Sequence, residues 1–259
     1  MPPFAVELKD VTHVYVTNRE ATLSVENIRM SLQRGEFVSL IGPSGCGKTT
    51  VLSMIAGLLF PTVGEVLVDG EQVEGPSTRV GYMLQQDYLF PWKSIYENAT
   101  IGLKLHGVLD KSGEDYVRHL LEEVGLSGTH KLYPNQLSGG MRQRVALVRT
   151  LATKPEILLL DEPFSALDYY TKLQLEDLIS ELLDARKISA LLVTHDISEA
   201  IAMSDKVLIM KKNPGRISRE IKIPEVVRAS SPFEARKQPE FHELFEDVWR
   251  WFDPGEEKR

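Results

Sequence analysis

The sequence predicts an α/β fold: a parallel sheet with helices on its faces, a small antiparallel sheet beside it, and a helical insertion in the middle of the chain. Two observations carry this. Residues 42–50, Gly-Pro-Ser-Gly-Cys-Gly-Lys-Thr-Thr, form a glycine-rich loop between the apolar strand Phe37–Ile41 and a helical pattern running from Thr49 to Leu58. From residue 140 onward, strand-like and helix-like segments alternate, which is the pattern of a sheet whose crossovers are helices.

Taken in order, residues 5–41 alternate apolar and polar positions in short runs such as Val6-Glu7-Leu8 and Val11–Val16. Thr17-Asn18-Arg19-Glu20 is the expected hairpin turn, and Leu67-Val68-Asp69-Gly70 adds another strand and turn. From about 87 to 135 the texture changes to aromatics, two histidines and helix signals. There Ser112 is expected to cap a helix whose Val117, Leu120, Leu121 and Val124 fall on one face, with Gly125 ending it. The alternation resumes with helix 140–153, strand Ile157–Leu160, helix 171–186, strand Ala190–Val193, helix 197–203 and strand Lys206–Met210. Asn213-Pro214-Gly215-Arg216 is a strong turn, followed by a short strand and a Pro/Ser-rich link at 224–232. A final helix sets Phe241, Leu244, Phe245, Val248, Trp249 and Phe252 on one face, expected to dock on its own domain, with a partner-binding or regulatory role as the alternative. The expected division is a nucleotide-binding domain over 1–222, with the helical insertion inside it, and a C-terminal linker and amphipathic helix over 223–259.

Bulk properties narrow the class. With 259 residues, 42% hydrophobic and 26% charged, the composition is that of a soluble globular protein, either one large domain or a domain with an inserted subdomain. No stretch approaches the roughly 18–20 apolar residues that cross a bilayer, and Met-Pro-Pro-Phe-Ala-Val-Glu does not read as a signal peptide. The single cysteine excludes an internal disulfide and suits a reducing cytosol. A net charge of −7 argues against a large nucleic-acid-binding face, leaving room only for a local basic patch, so no nucleic-acid partner is expected.

The chemistry lies in three places. Glycines in the 42–50 loop let successive backbone N–H groups turn inward around phosphate oxygens, and the helix that follows points its positive end at the same anion. Gly42, Pro43, Ser44, Gly45, Cys46, Gly47, Lys48, Thr49 and Thr50 are therefore expected to line a nucleoside triphosphate. Lys48 reaches the outer phosphates and the Thr49 hydroxyl ligates Mg²⁺. Ile157–Leu160 leads into Asp161-Glu162-Pro163, two carboxylates at the end of a strand expected to run beside the loop strand. Asp161 is placed near the Mg²⁺ and binds it through water, while Glu162 orients or deprotonates the attacking water. The third place is Leu137–Arg144, a second glycine-rich helix start. Ser138 caps it, and bare N–H groups at Gly139 and Gly140 offer another anion cradle. This is either a plain helix cap or a cradle for a nucleotide held by a second copy of the chain.

These motifs, with Gln85, Ser165-Ala166-Leu167-Asp168 and His195, stand in the order and spacing of the ATP-binding subunits of ABC transporters, which the chain resembles from Val6 to about Ile221. Leu89-Phe90-Pro91-Trp92, Met141 within the signature, and Asn213–Ile217 resemble the nitrate/sulfonate/taurine-type importer branch. Asn213 departs slightly, standing where an Arg-rich stretch often precedes Pro-Gly-Arg. The resemblance implies a P-loop NTPase core that uses ATP and Mg²⁺. It implies that Tyr15 stacks on adenine, with a packed strand residue as the alternative, and that Gln85 touches Mg²⁺ and the attacking water, with Gln86 one residue away. Ser138, Gly139 and Gly140 would close on the γ-phosphate in a partner copy, Asp168 would couple the two sites, and His195 would contact the γ-phosphate. His13, His106, His119, His130 and His242 are left as surface or packing residues. Leu89–Trp92 would receive a cytoplasmic helix of a membrane permease, with core filling within the insertion as the alternative. The implied partners are a second copy, transmembrane permease subunits and, indirectly, an extracytoplasmic solute-binding protein, at the cytoplasmic side of the cell membrane. The alternative is a soluble, non-transport ABC-type ATPase. Those tend to carry long coiled-coil insertions, tandem cassettes or metal-binding cysteines, none of which is in this sequence.

Overall fold

The computed structural model describes residues 4–17 and 20–252, where ten strands form two sheets. The antiparallel sheet has the order β2-β1-β4-β5, from β1 (Phe4–Val16), β2 (Ala21–Gln33), β4 (Val63–Val68) and β5 (Glu71–Gln72). The expected hairpin turn falls largely on Asn18 and Arg19, outside the described residues. The strands that flank it pair from Val16 opposite Ala21.

The main sheet combines β3 (Phe37–Ile41), β6 (Val80–Met83), β7 (Ile157–Asp161), β8 (Ser189–Thr194), β9 (Lys206–Lys211) and β10 (Arg216–Lys222) in the order β10-β9-β3-β8-β7-β6. Only β10 runs antiparallel to its neighbour. Every residue of β7 and β8 is buried, which is why these segments read as continuous apolar runs rather than alternating ones. One expectation is corrected here: β7 does not lie beside the loop strand β3, because β8 is inserted between them and hydrogen-bonds to both. Ala190–Val193 is apolar on both faces and is satisfied only in the sheet interior, whereas motif order along the chain does not set strand order. The register still serves the site. Ile41 pairs with Thr194 and Asp161 with Val193, so the loops leaving β3, β7 and β8 emerge together at the carboxyl edge of the sheet.

Helix α1 (Lys48–Ile55) follows the glycine-rich loop and ends earlier than the apolar pattern implies, where the chain turns at Gly57. The insertion contains α2 (Ile95–Leu105), opened by a Ser94/Glu97 capping box, and α3 (Lys111–Glu123). Asp110, not Ser112, caps α3: its carboxylate accepts from Gly113 N at 2.8 Å, placing Ser112 inside the first turn. Val117, Leu120 and Leu121 of α3 share a core with Val145 and Leu147 of α4 (Gly139–Leu151), so the insertion packs on α4. After α5 (Tyr169–Arg186) and α6 (Ile197–Met203) come α7 (Glu225–Arg228), α8 (Pro232–Ala235) and α9 (Pro239–Phe252). Phe241 and Val248 of α9 are buried against Ile197 and Ile201 of α6 and Ile209 of β9, so the last helix docks on its own chain. Trp249 stays half-exposed, its ring stacked 6.1 Å from Phe245.

Candidate active site

The glycine-rich loop turns on Gly45 (φ +78°) and Gly47 (φ +95°). A Cβ on Gly47 would stand 2.3 Å from Val25 Cγ1, so only glycine lets the loop lie this close to β2. Lys48 is buried and its ammonium donates to Gly42 O at 2.7 Å and Pro43 O at 3.3 Å, spanning the loop it belongs to. Cys46 is fully buried, and burial pushes its thiol above the ordinary range. A cleft of about 310 Å³ opens over this loop, lined by Ser44, Gly45, Lys48, Thr49, Thr50 and Glu162. A larger cleft of about 790 Å³, lined by Tyr116, Lys154 and Lys187 among others, contains none of these residues.

Asp161 closes β7 at the floor of the site. Burial raises its carboxyl above the usual carboxylate range, opposed by hydrogen bonds from Tyr82 and Thr49. The Tyr82 hydroxyl donates to Asp161 Oδ2 at 3.2 Å and is itself held protonated, mainly by burial. No group of three or more His, Cys, Asp or Glu among the described residues could cage a metal. The Asp161 carboxylate, the Thr49 hydroxyl and the Gln85 amide oxygen are of the donor type that suits Mg²⁺, and phosphate and water oxygens would complete its shell.

Glu162 adopts φ +47°, a left-handed conformation that costs a non-glycine residue about 1 kcal/mol or more. Its N–H donates to Val193 O at 2.8 Å, which ties this turn to β8. The side chain meets both other expected catalytic residues. His195 Nδ1 lies 3.2 Å from Glu162 Oε2, and Gln85 Nε2 donates to the same oxygen at 3.3 Å and to Ser165 Oγ at 3.3 Å. Gln85, rather than Gln86, therefore points at Glu162. The main-chain oxygen of Gln85 accepts from Gln143 Nε2 at 3.0 Å, joining the site to α4.

Tyr15 stands at the lip of the loop, half-exposed rather than packed, with its hydroxyl 3.3 Å from Thr50 Oγ1. Its ring is set edge-on to His13 at 4.6 Å, and His13 is buried with Nδ1 2.9 Å from Phe60 O. Ser138 caps α4 as expected, accepting from Met141 N at 3.3 Å. Neither Ser138, Gly139 nor Gly140 lines the cleft over the glycine-rich loop of the same chain. A Cβ on Gly140 would lie 2.3 Å from Thr171 Cγ2, so this glycine seats α4 against α5.

Sequence reasoning missed strand β6 and the polar bracket after it. Arg142 Nε donates to Asp87 Oδ2 at 2.9 Å, and Arg149 donates to Asp87 O at 2.7 Å and Tyr88 O at 2.9 Å. The available signal was the recurrence of Arg142 and Arg149 seven residues apart, on one face of α4.

A glycine-rich loop facing a strand-end carboxylate pair across a parallel sheet defines a P-loop nucleoside triphosphatase. The chain matches the ABC transporter family over residues 25–165 and belongs to it, as an ATP-binding, ATP-hydrolysing subunit. It is 51% identical over 240 residues to the uncharacterized ABC transporter ATP-binding protein YtlC of Bacillus subtilis, covering 93% of this chain and 92% of the relative. It is 38% identical to the nitrate import ATP-binding protein NrtD of Synechocystis (94% and 93% covered), and 41% identical to the aliphatic sulfonates import ATP-binding protein SsuB of Bacillus cereus (93% of each). Among solved structures, the ATP-binding cassette MJ0796, a dimer in a post-hydrolysis state with ADP and Pi, superposes with a TM-score of 0.75 at 33% identity. That match covers 85% of this chain and 99% of the cassette.

Proposed function

We propose that this subunit powers an importer for a small solute such as nitrate, a sulfonate or taurine, through separate permease subunits fed by a solute-binding protein. Two copies pair head to tail around two ATP molecules. In each site one chain supplies Tyr15 against adenine and the 42–50 loop around the phosphates. Lys48 lies against the outer phosphates, and Glu162, His195 and Gln85 surround the attacking water. The other chain supplies Ser138, Gly139 and Gly140. Thr49, Gln85 and Asp161 would hold Mg²⁺, which when bound offsets phosphate charge. Glu162 takes the proton of the attacking water, with His195 and Gln85 fixing the orientation of its carboxylate.

The observation that carries this reading is the double attachment of Gln85, whose side chain reaches Glu162 while its backbone is held by Gln143 of the signature helix. A change at the γ-phosphate is then felt by α4 and by the adjoining loop, where Phe90 and Trp92 pack 5.5 Å apart and Trp92 is 70% exposed. That aromatic pair is the proposed seat of a permease helix. No helix among the described residues is long and apolar enough to cross a membrane, and attachment to the cytoplasmic side of the membrane is proposed to run through the permease. Pull-down from membranes with this subunit as bait, to recover a permease, and ligand measurement on the solute-binding protein that serves that permease test the reading. Absence of any membrane partner would favour a soluble ATPase instead.

A further inference from the structure

His195 is well exposed, so side-chain packing does not hold it in place; its neighbours in the chain do. Thr194 Oγ1 donates to Glu199, and Asp196 caps α6 by accepting from Ser198 N at 2.7 Å and Glu199 N at 3.2 Å. Both carboxylates converge on one cation. Lys172 Nζ lies 2.6 Å from Asp196 Oδ2 and 2.5 Å from Glu199 Oε1, and is largely buried. Lys172 belongs to α5, one turn after Asp168, whose carbonyl accepts its backbone N–H at 2.9 Å. One turn further along the same face is Glu176, fully buried, with its carboxylate 2.6 Å from Arg236 Nη2 in the C-terminal segment.

Three buried or half-buried carboxylates thus share two cations. Without Arg236, Glu176 whenever it is ionised would stand four residues from Lys172 with an unpaired charge in the interior, and would compete with Asp196 and Glu199 for the ammonium. We propose that Lys172 is a positioning residue for ATP hydrolysis, fixing the His195 turn to the helix that begins at Asp168, and that Arg236 keeps Lys172 engaged there by neutralising Glu176. The C-terminal segment then acts on the active site through charge as well as through packing. This rests on the proposed role of His195 at the γ-phosphate.

The test is steady-state ATP hydrolysis and thermal melting of the full-length protein. Lys172→Met keeps the aliphatic length and removes the charge. A displaced catalytic turn lowers kcat by about 10- to 100-fold, with the KM for ATP within about twofold of the parent. Lys172→Arg retains most of the activity. Adding Glu199→Gln to Lys172→Met removes an orphaned buried carboxylate and raises the melting temperature without restoring kcat. Because Lys172 acts through His195, Lys172→Met placed on His195→Ala causes no further loss. Assayed well above pH 7, where Glu176 is ionised, Arg236→Met lowers kcat, and Glu176→Gln in the same chain restores it.

An inactive His195→Ala beside a Lys172→Met that turns over at the parent rate overturns the inference alone. A His195→Ala that still hydrolyses ATP removes the role of His195 and this inference with it. Recovery of kcat together with stability in the Lys172→Met/Glu199→Gln chain would reduce Lys172 to a folding residue. An Arg236→Met variant at full rate would cut the C-terminal segment out of the relay.

Discussion

Gln143 Nε2 donates to the backbone oxygen of Gln85 at 3.0 Å, and Gln143 is buried. This bond joins the helix that carries the second glycine-rich turn to the residue whose side chain reaches Glu162. Arg142 and Arg149, on the same helix, hold Asp87 and the Tyr88 carbonyl, so α4 grips the whole segment from Gln85 to Tyr88. A shift of α4 against the sheet therefore displaces Gln85 directly, with no flexible link between them.

Lys48→Ala is expected to abolish ATP binding at ordinary nucleotide concentrations. Each charge-assisted hydrogen bond from the ammonium to phosphate contributes about 1.5–3 kcal/mol, so losing two weakens affinity by about two orders of magnitude or more. Nucleotide titration by calorimetry, with a melting curve to show the fold intact, checks this. Unchanged affinity would remove the loop from ATP binding.

The glycine-rich loop and the strand-end carboxylates were legible because their physics is local: a phosphate cradle needs glycines, and a buried strand reads as an apolar run. The strand order was not. Nothing in Ile157–Leu160 or Ala190–Val193 says which of them lies beside β3, since both are apolar on two faces and both pair in parallel. Asp110 and Ser112 both satisfy the cap pattern before α3, and only the backbone decides between them. The network of Lys172, Asp196, Glu199, Glu176 and Arg236 was illegible for another reason. It joins residues up to 64 positions apart, and each alone reads as a solvated helix charge.

Gly140→Ala is expected to destabilise the chain by about 1–3 kcal/mol, the usual cost of forcing a methyl into a packed contact. The new Cβ would meet Thr171 Cγ2 at 2.3 Å. Adding Thr171→Ala removes that atom and returns most of the loss. Denaturant unfolding of the two variants measures it, and a Gly140→Ala chain as stable as the parent would show that α4 and α5 separate easily.

Burial raises the Glu176 carboxyl from 4.5 to about 7. An acid whose folded value lies above its unfolded value favours the native state below the unfolded value, and that contribution is lost as pH rises through the folded one. Stability should therefore fall between about pH 4.5 and 7, and Glu176→Gln should flatten that decline. Melting temperatures across this window decide it; equal slopes would mean that Glu176 titrates normally.

Trp92→Ala is expected to leave ATP affinity unchanged and to shift stability by no more than about 0.5 kcal/mol, because the side chain is mostly in solvent. Binding to the permease, and solute uptake by the reconstituted complex, should fall sharply. Uptake at the parent level would make Trp92 an inert surface residue.

Glu162→Gln separates binding from chemistry. The amide keeps the size and the hydrogen-bonding reach toward Gln85 and His195 but loses the basic oxygen that takes the proton from water. ATP and Mg²⁺ binding should persist while hydrolysis falls by about two orders of magnitude or more, the scale of a lost general base. If Ser138, Gly139 and Gly140 of a second chain close on the γ-phosphate, the stalled variant should accumulate as an ATP-bound dimer. The parent, still hydrolysing and without a permease, should remain mainly monomeric. Light scattering on the variant with ATP, with ADP and without nucleotide reads both halves at once. Normal hydrolysis would exclude Glu162 as the base. An inactive variant that stays monomeric at saturating ATP and high protein concentration would instead count against the shared site, leaving the second glycine-rich turn of α4 as a plain helix cap.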